Sequence, residues 1–241
     1  MRWWQAVLLL AVPFGVMADV EMKFSDGSAF VVTDGRVLFG DPSNAVLYTP
    51  DRDGLIILNN DEKSWMEMKP GFADEVARHL ASQLDDMLAG LTPEERQQVR
   101  DALPEVYAPT PAEAPAFRIE RTGLRDVVAG FDCEEAEISG GAGDIDEIVC
   151  IATAEELGIS STDFDALTGF MNRLSEIASM TPDDDSFIDI ATLGGIPVRS
   201  ENIEYGELSE LTSITTTGID ATRLDIPPDY QQVALEDVLA R

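Results

Sequence analysis

Two Asp-Gly pairs, Asp26-Gly27 and Asp34-Gly35, constrain the start of this chain more than any other feature. Each sits between short runs of alternating apolar and polar residues. Asp-Gly in that setting is a strong short-range hairpin signal, because both turn positions need a left-handed backbone. The runs at 20–24, 29–33 and 36–39 therefore predict a β-meander. It continues through strands at 45–49, 54–58 and 63–68, split by Pro50-Asp51-Arg52-Asp53 and Asn59-Asn60-Asp61. Centring the pairing on the Asp-Gly turns puts Val20, Met22, Phe24, Val31 and Leu38 on one side. Phe30, Val32, Val37 and Phe39 fall on the other, with Glu21 and Lys23. A meander wet on one face would alternate cleanly. Here both faces are apolar, so the sheet is covered twice or lines an apolar hollow on one side.

The period then changes. Phe72, Val76, Leu80, Leu84, Met87/Leu88 and Leu91 recur every three to four residues, a helical stripe. Thr92-Pro93-Glu94-Glu95 supplies an N-cap, a first-turn proline and a capping glutamate for a second helix. The proline- and alanine-rich run 104–116 reads as an extended connector. Strands are expected at 117–121, 127–138 and 145–152. A third helix opens at Thr162, striped by Phe164, Leu167, Phe170, Met171, Leu174 and Ile177. Its methionine is a core filler or, in an apolar hollow, an adaptable ligand contact. Strands at 187–192, 197–205, 210–217 and 221–224 follow. Pro227-Pro228 is expected to end the sheet, and a short helix at 234–239 to close the chain. The pattern predicts an α+β protein with a single domain over 19–241.

Arg2, the apolar run 6–12, the Pro13 and Gly15 breakers and Val16-Met17-Ala18 form a signal peptide with cleavage expected after Ala18. The residue directly after that point, Asp19, is not a cysteine, so the expectation is a periplasmic protein, not a lipoprotein. No later run is long enough to span a bilayer as a helix. In an oxidising compartment the two cysteines, Cys133 and Cys150, are expected to pair. They are equidistant from the centre of the turn-forming run 139–144, so a hairpin about that centre would set them face to face.

The chain carries 16 basic and 46 acidic residues, a formal charge of −30. That field repels nucleic acid and anionic headgroups, and favours solubility, cations and basic partners. Asp183-Asp184-Asp185 and Asp144-Ile145-Asp146-Glu147 are the acidic clusters and the candidates for calcium; neither has the spacing of a calcium loop, and an acidic run is more often a solvated loop. No G-x-S-x-G, H-E-x-x-H or phosphate-cradling glycine loop is present, and His79, the single histidine, lies at the edge of a helical stripe. No catalytic residue, metal site or cofactor is assigned, and the protein is not expected to be an enzyme.

Several phrases occur together: "GRVLFG" (35–40), "LTPEERQQV" (91–99), "VAGFDCEEAEI" (128–138) with "VCIA" (149–152), "GGIPVRSE" (194–201) and "IPPDYQ" (226–231). In that order they resemble an exported bacterial family of unknown function grouped with the periplasmic lipoprotein carriers LolA and LolB. The resemblance implies a strongly curved antiparallel sheet, an incomplete β-barrel, with helices packed on its concave side. It also implies an apolar hollow for a lipid, acyl chain or lipidated partner. The candidate lining is Phe30, Val32, Val37, Phe39, Leu80, Leu84, Met87, Phe170, Met171 and Leu174. The alternative function is an envelope interaction or sensing protein that engages a basic partner through its acidic surface. Expected partners are thus a lipid or lipoprotein, or a basic envelope protein, with no nucleic acid and no transmembrane anchor.

Overall fold

A computed structural model describes residues 19–102, 118–140, 145–178, 190–216 and 218–239. The expected signal peptide, the connector 104–116, Asp144 and Asp183-Asp184-Asp185 lie outside the described residues. Twelve strands form one large mixed sheet that is almost wholly antiparallel and does not close: the order is β12-β6-β5-β4-β3-β2-β1-β11-β10-β9-β8-β7. The first six are β1 (Val20–Phe24), β2 (Ala29–Thr33), β3 (Arg36–Gly40), β4 (Asn44–Tyr48), β5 (Leu55–Asn59) and β6 (Ser64–Met68). They form the meander that the turn residues predict. The rest are β7 (Arg118–Val128), β8 (Phe131–Ser139), β9 (Ile145–Ala152), β10 (Ile196–Asn202), β11 (Glu207–Thr215) and β12 (Gln231–Gln232). Although three strands separate them in the order, β7 and β11 come within 8 Å of each other at Cα. Asp126 of β7 accepts a hydrogen bond from Arg199 of β10 at 2.6 Å.

The second Asp-Gly turn is the expected two-residue loop: Asp34 and Gly35 have φ of 53° and 72°, and Thr33 pairs with Arg36. The first is not. Phe24 N–H donates to the Ser28 carbonyl, leaving Ser25-Asp26-Gly27 as a three-residue loop, with Gly27 at φ 91°. One extra loop residue moves the β1–β2 register by one and turns every β1 side chain to the other face. Val20 therefore pairs with Val32 and Met22 with Phe30, while Glu21 pairs with Val31. The expected grouping of Val20 and Met22 with Val31 and Leu38 is corrected. The face bearing Phe30, Val32, Val37 and Phe39 is more apolar than the sequence reading makes it.

Three other local expectations are corrected. Ala129-Gly130, at φ 50° and 90°, is a turn that divides the expected strand 127–138 between β7 and β8. An alanine at the first turn position hides that signal. Of the expected strand 187–192, residues 187–189 lie outside the described residues and 190–192 fall in the short helix α4 (Ile190–Leu193). Ala221–Leu224 is a 3-10 turn capped by Asp220, which accepts from Thr222 N–H, and not a strand. Nor does Pro227-Pro228 end the sheet. The chain beyond it runs parallel to β6 as β12, then forms α5 (Leu235–Leu239).

Both faces of the meander are covered. On one side lies α3 (Ser161–Ala178), whose Leu167, Phe170, Leu174 and Ile177 are buried against Val20, Met22, Val32, Val37 and Leu55. Its first turn is closed by a capping box: Ser160 Oγ bonds Asp163 Oδ2 at 2.6 Å, and Asp163 N–H donates to Ser160 Oγ at 3.2 Å. On the other side Val31, Leu47, Ile56 and Leu58 are sealed by Leu224, Ile226 and Tyr230 from the C-terminal segment. Arg36 ties that segment down, donating to the Ala221 carbonyl at 3.1 Å, the Leu224 carbonyl at 3.3 Å and Asp225 at 2.9 Å. A third cluster joins Ala136, Ile138, Val149 and Ile151 to Leu193 of α4. Gly195 permits that approach, since a Cβ there would lie 2.6 Å from the Ala152 carbonyl oxygen.

Candidate functional site

The corrected register lays the inner side chains of the meander in two rows. In the first, each residue faces the next across successive strands: Met22, Phe30, Phe39, Val46, Ile57 and Met66. In the second stand Val20, Val32, Val37 and Tyr48, with Leu55 and Met68 paired farther along. Pairing of opposed residues on one face is the basic unit of sheet stabilisation. Cover falls off along both rows, since Met22 of the first is also fully buried while Tyr48 and Met68 of the second are half-buried. Val20, Val32, Val37 and Leu55 are fully buried. Phe30, Phe39, Val46, Ile57 and Met66 are only half-buried.

The helix α3 covers members of both rows on β2, β3 and β4. Phe170 is the centre of an aromatic cluster, its ring centroid 6.1 Å from Phe30, 6.2 Å from Phe39 and 6.4 Å from Tyr48. Phe30 and Phe39 stack at 4.3 Å. Gly169 lets the helix come close to β4, since a Cβ there would stand 2.7 Å from the Tyr48 hydroxyl. Seven of the ten candidate lining residues thus belong to one cluster: Phe30, Val32, Val37 and Phe39 from the sheet, Phe170, Met171 and Leu174 from α3. The inner face of β1–β3 is consequently filled in large part by the protein's own side chains. Helix α1 (Phe72–Leu88) stands apart from that cluster. Leu80 and Leu84 are half-buried, and Met87 is 78 % exposed while its neighbour Leu88 is buried. Its successor α2 (Pro93–Ala102) has the expected capping box, with Thr92 N–H and Oγ both 2.8 Å from Glu95 Oε2.

Val46, Ile57, Met66 and Met68 are additions that the sequence reading missed. Their signal was present in the alternation of 45–49, 54–58 and 63–68. It becomes legible only when the register extends the Phe30–Phe39 pair across β4, β5 and β6.

Cys133 and Cys150 form a disulfide with Cα atoms 5.5 Å apart. They are not face to face. Glu135 pairs with Cys150 and Glu134 with Ile151, because an irregularity between Ile138 and Ser139 displaces the β8–β9 hairpin from its expected centre. The displacement is two residues, so both cysteines keep the same face and bond diagonally. Beside them is a small polar pocket of about 60 Å³ lined by Arg121, Arg125, Glu134 and Glu156, in which cations and carboxylates offset each other. His79 interacts with Gln83 at 3.0 Å on an exposed helix face. Asp146 accepts from Gly140 N–H and Glu147 from the Ser200 hydroxyl. Burial raises the Glu147 carboxyl above the ordinary glutamate range, and the Ser200 hydroxyl only partly offsets it. Among the described residues no three histidine, cysteine or acidic side chains gather as metal ligands. None of the described helices is long and apolar enough to cross a membrane.

No family model matches the chain, and no curated protein matches it. A solved structure described as "Structure of PNGF-II in C2 space group" aligns over 92 % of this chain and 31 % of its own, at 7 % identity and a TM-score of 0.29. The chain thus spans under a third of that protein's length, and a likeness at that score carries no argument about fold or function.

Proposed function

We propose that this is an exported, non-catalytic binding protein that holds a lipid, acyl chain or lipidated partner against the half-buried row Phe39–Val46–Ile57–Met66. The observation that carries the reading is the apolar surface left half-buried on the inner face of β4, β5 and β6. Val20, Val32, Val37 and Leu55 are sealed under α3, while Val46, Ile57, Met66 and Met68 keep apolar surface open along those three strands. Fully burying one such side chain is worth roughly 1.5–3 kcal/mol, and completing a burial already more than half made supplies a fraction of that at each position, summed along the row by an acyl chain. In this proposal Leu80, Leu84 and Met87 of α1 supply a second wall, their exposed edges being the complement that a ligand would cover. The sheet bends into an incomplete barrel in the manner of LolA and LolB. The return of β7 toward β11 supports such a bend. The disulfide supports an oxidising compartment, and the periplasm follows from the signal peptide read at 1–18.

The experiment is direct. Protein purified without detergent is extracted with organic solvent and the extract analysed for lipid; the stripped protein is then titrated with a fluorescent fatty acid. Saturable uptake that Ile57→Asp abolishes, with an unchanged far-UV spectrum, is expected. An empty extract together with no uptake would rule the reading out.

A further inference from the structure

We infer that the β10–β11 hairpin is a docking surface for a basic, amphipathic segment of a partner protein, a role that does not depend on an apolar ligand. Three large side chains stand out of this hairpin: Ile203, Tyr205 and Leu208 are 45 %, 70 % and 52 % exposed. Such residues gathered at one tip, and framed by charge, are the composition of an interaction site. The frame is wholly acidic. Glu201, Glu204, Glu207 and Glu210 have no ion pair or side-chain hydrogen bond among the described residues. Arg199, which faces Glu210 across the ladder, is committed to Asp126.

The tip also borders a groove of about 450 Å³, lined by Asp26, Ser200, Asn202, Glu207, Leu208 and Ser209. Asp26 closes one side of it from the three-residue β1–β2 loop. Ser28 donates to its carboxylate through both N–H and Oγ, at 2.8 and 2.7 Å. The loop is fixed to β11 by Ser25 N–H donating to the Glu210 carbonyl at 2.8 Å, and by Glu210 N–H donating to Ser25 Oγ at 3.0 Å. The groove is therefore preorganised by backbone pairing, which lowers the ordering cost of binding. Apolar anchors select an amphipathic occupant, and the unneutralised carboxylates select lysine or arginine on it. The same carboxylates disfavour an anionic membrane surface.

The probe is a 12-residue peptide alternating leucine and lysine, with a leucine–glutamate peptide as control, followed by fluorescence anisotropy on the full chain. Saturable binding of the lysine peptide only is expected, at least tenfold weaker in Tyr205→Ser and in the double variant Glu204→Lys/Glu207→Lys. These positions are exposed, so circular dichroism should not change. Asp51→Lys/Asp53→Lys in the β4–β5 turn makes the same change in net charge elsewhere and should leave affinity within twofold. Absence of binding, equal loss in both charge-reversed variants, or no effect of Tyr205→Ser would each overturn the assignment. Lipid uptake, measured separately, leaves it unaffected.

Discussion

Cys150 stands opposite Glu135 in the β8–β9 ladder, yet its sulfur is bonded to Cys133, two residues away on the same face of β8. The bond therefore ties the hairpin diagonally, and it joins the cluster beneath α3, since both cysteines are buried there. Its main effect is on the unfolded chain, where it closes a loop spanning a sequence separation of 17. Replacing both cysteines by serine is expected to cost about 3 kcal/mol. Urea denaturation of the oxidised wild type and the double variant measures this. A change under 1 kcal/mol would mean that the unfolded chain is already constrained at this hairpin.

Phe170 is fully buried and touches the aromatic rings of three strands. Phe170→Ala removes that contact and leaves a cavity that the sheet cannot fill, for a loss of about 3–5 kcal/mol. It should also expose the inner row. An increase in fluorescent fatty-acid uptake by folded variant protein, compared with wild type, is the expected outcome.

Arg36 holds the C-terminal segment by two carbonyls and one carboxylate. Arg36→Met keeps the apolar stem and removes the donors. The expected loss is about 1.5–3 kcal/mol, the range for hydrogen bonds to a charged group. Amide exchange should quicken over 219–226 first, with β4 and β5 unaffected until global unfolding.

Glu147 titrates above the ordinary glutamate value of 4.5, mainly because it is buried. Below 4.5 both folded and unfolded states hold the proton. As pH rises past 4.5 the unfolded state loses it first, so stability falls until the folded carboxyl also ionises. Glu147→Gln keeps an acceptor for the Ser200 hydroxyl and removes this penalty. The variant should be more stable than wild type at pH 7 and equal to it at pH 3.5, by thermal denaturation at the two values.

Asp126 shows the opposite sign. The hydrogen bond from Arg199, with help from Val127 N–H, holds its carboxyl below the ordinary range. Its contribution is present above the unfolded value of 3.8 and is lost as pH falls through the lower folded value. Asp126→Asn should therefore flatten the acid limb of the stability curve. Far-UV melts between pH 2 and 5 check it.

The sequence by itself determined the meander, the helices after residue 71 and at 162, the Thr92–Glu95 cap and the identity of the bonded cysteines. All of these rest on interactions between near neighbours: turn dihedrals, side-chain period, capping and the redox chemistry of the only two thiols. Only the tertiary structure decided which face each β1 residue takes. The three-residue loop Ser25-Asp26-Gly27 and the two-residue loop Asp34-Gly35 share the same dipeptide, and Ser25 of the longer one is held by hydrogen bonds with Glu210, far along the chain. It also decided that Ala129-Gly130 turns and that residues 190–193 coil into a helix against Val149 and Ile151. The inner row from Met22 to Met66 belongs to the same class: its members come from six strands, and no local pattern can say which of them α3 will cover. Burial is a property of distant chain segments meeting, and the energy that selects among registers arises only when they do.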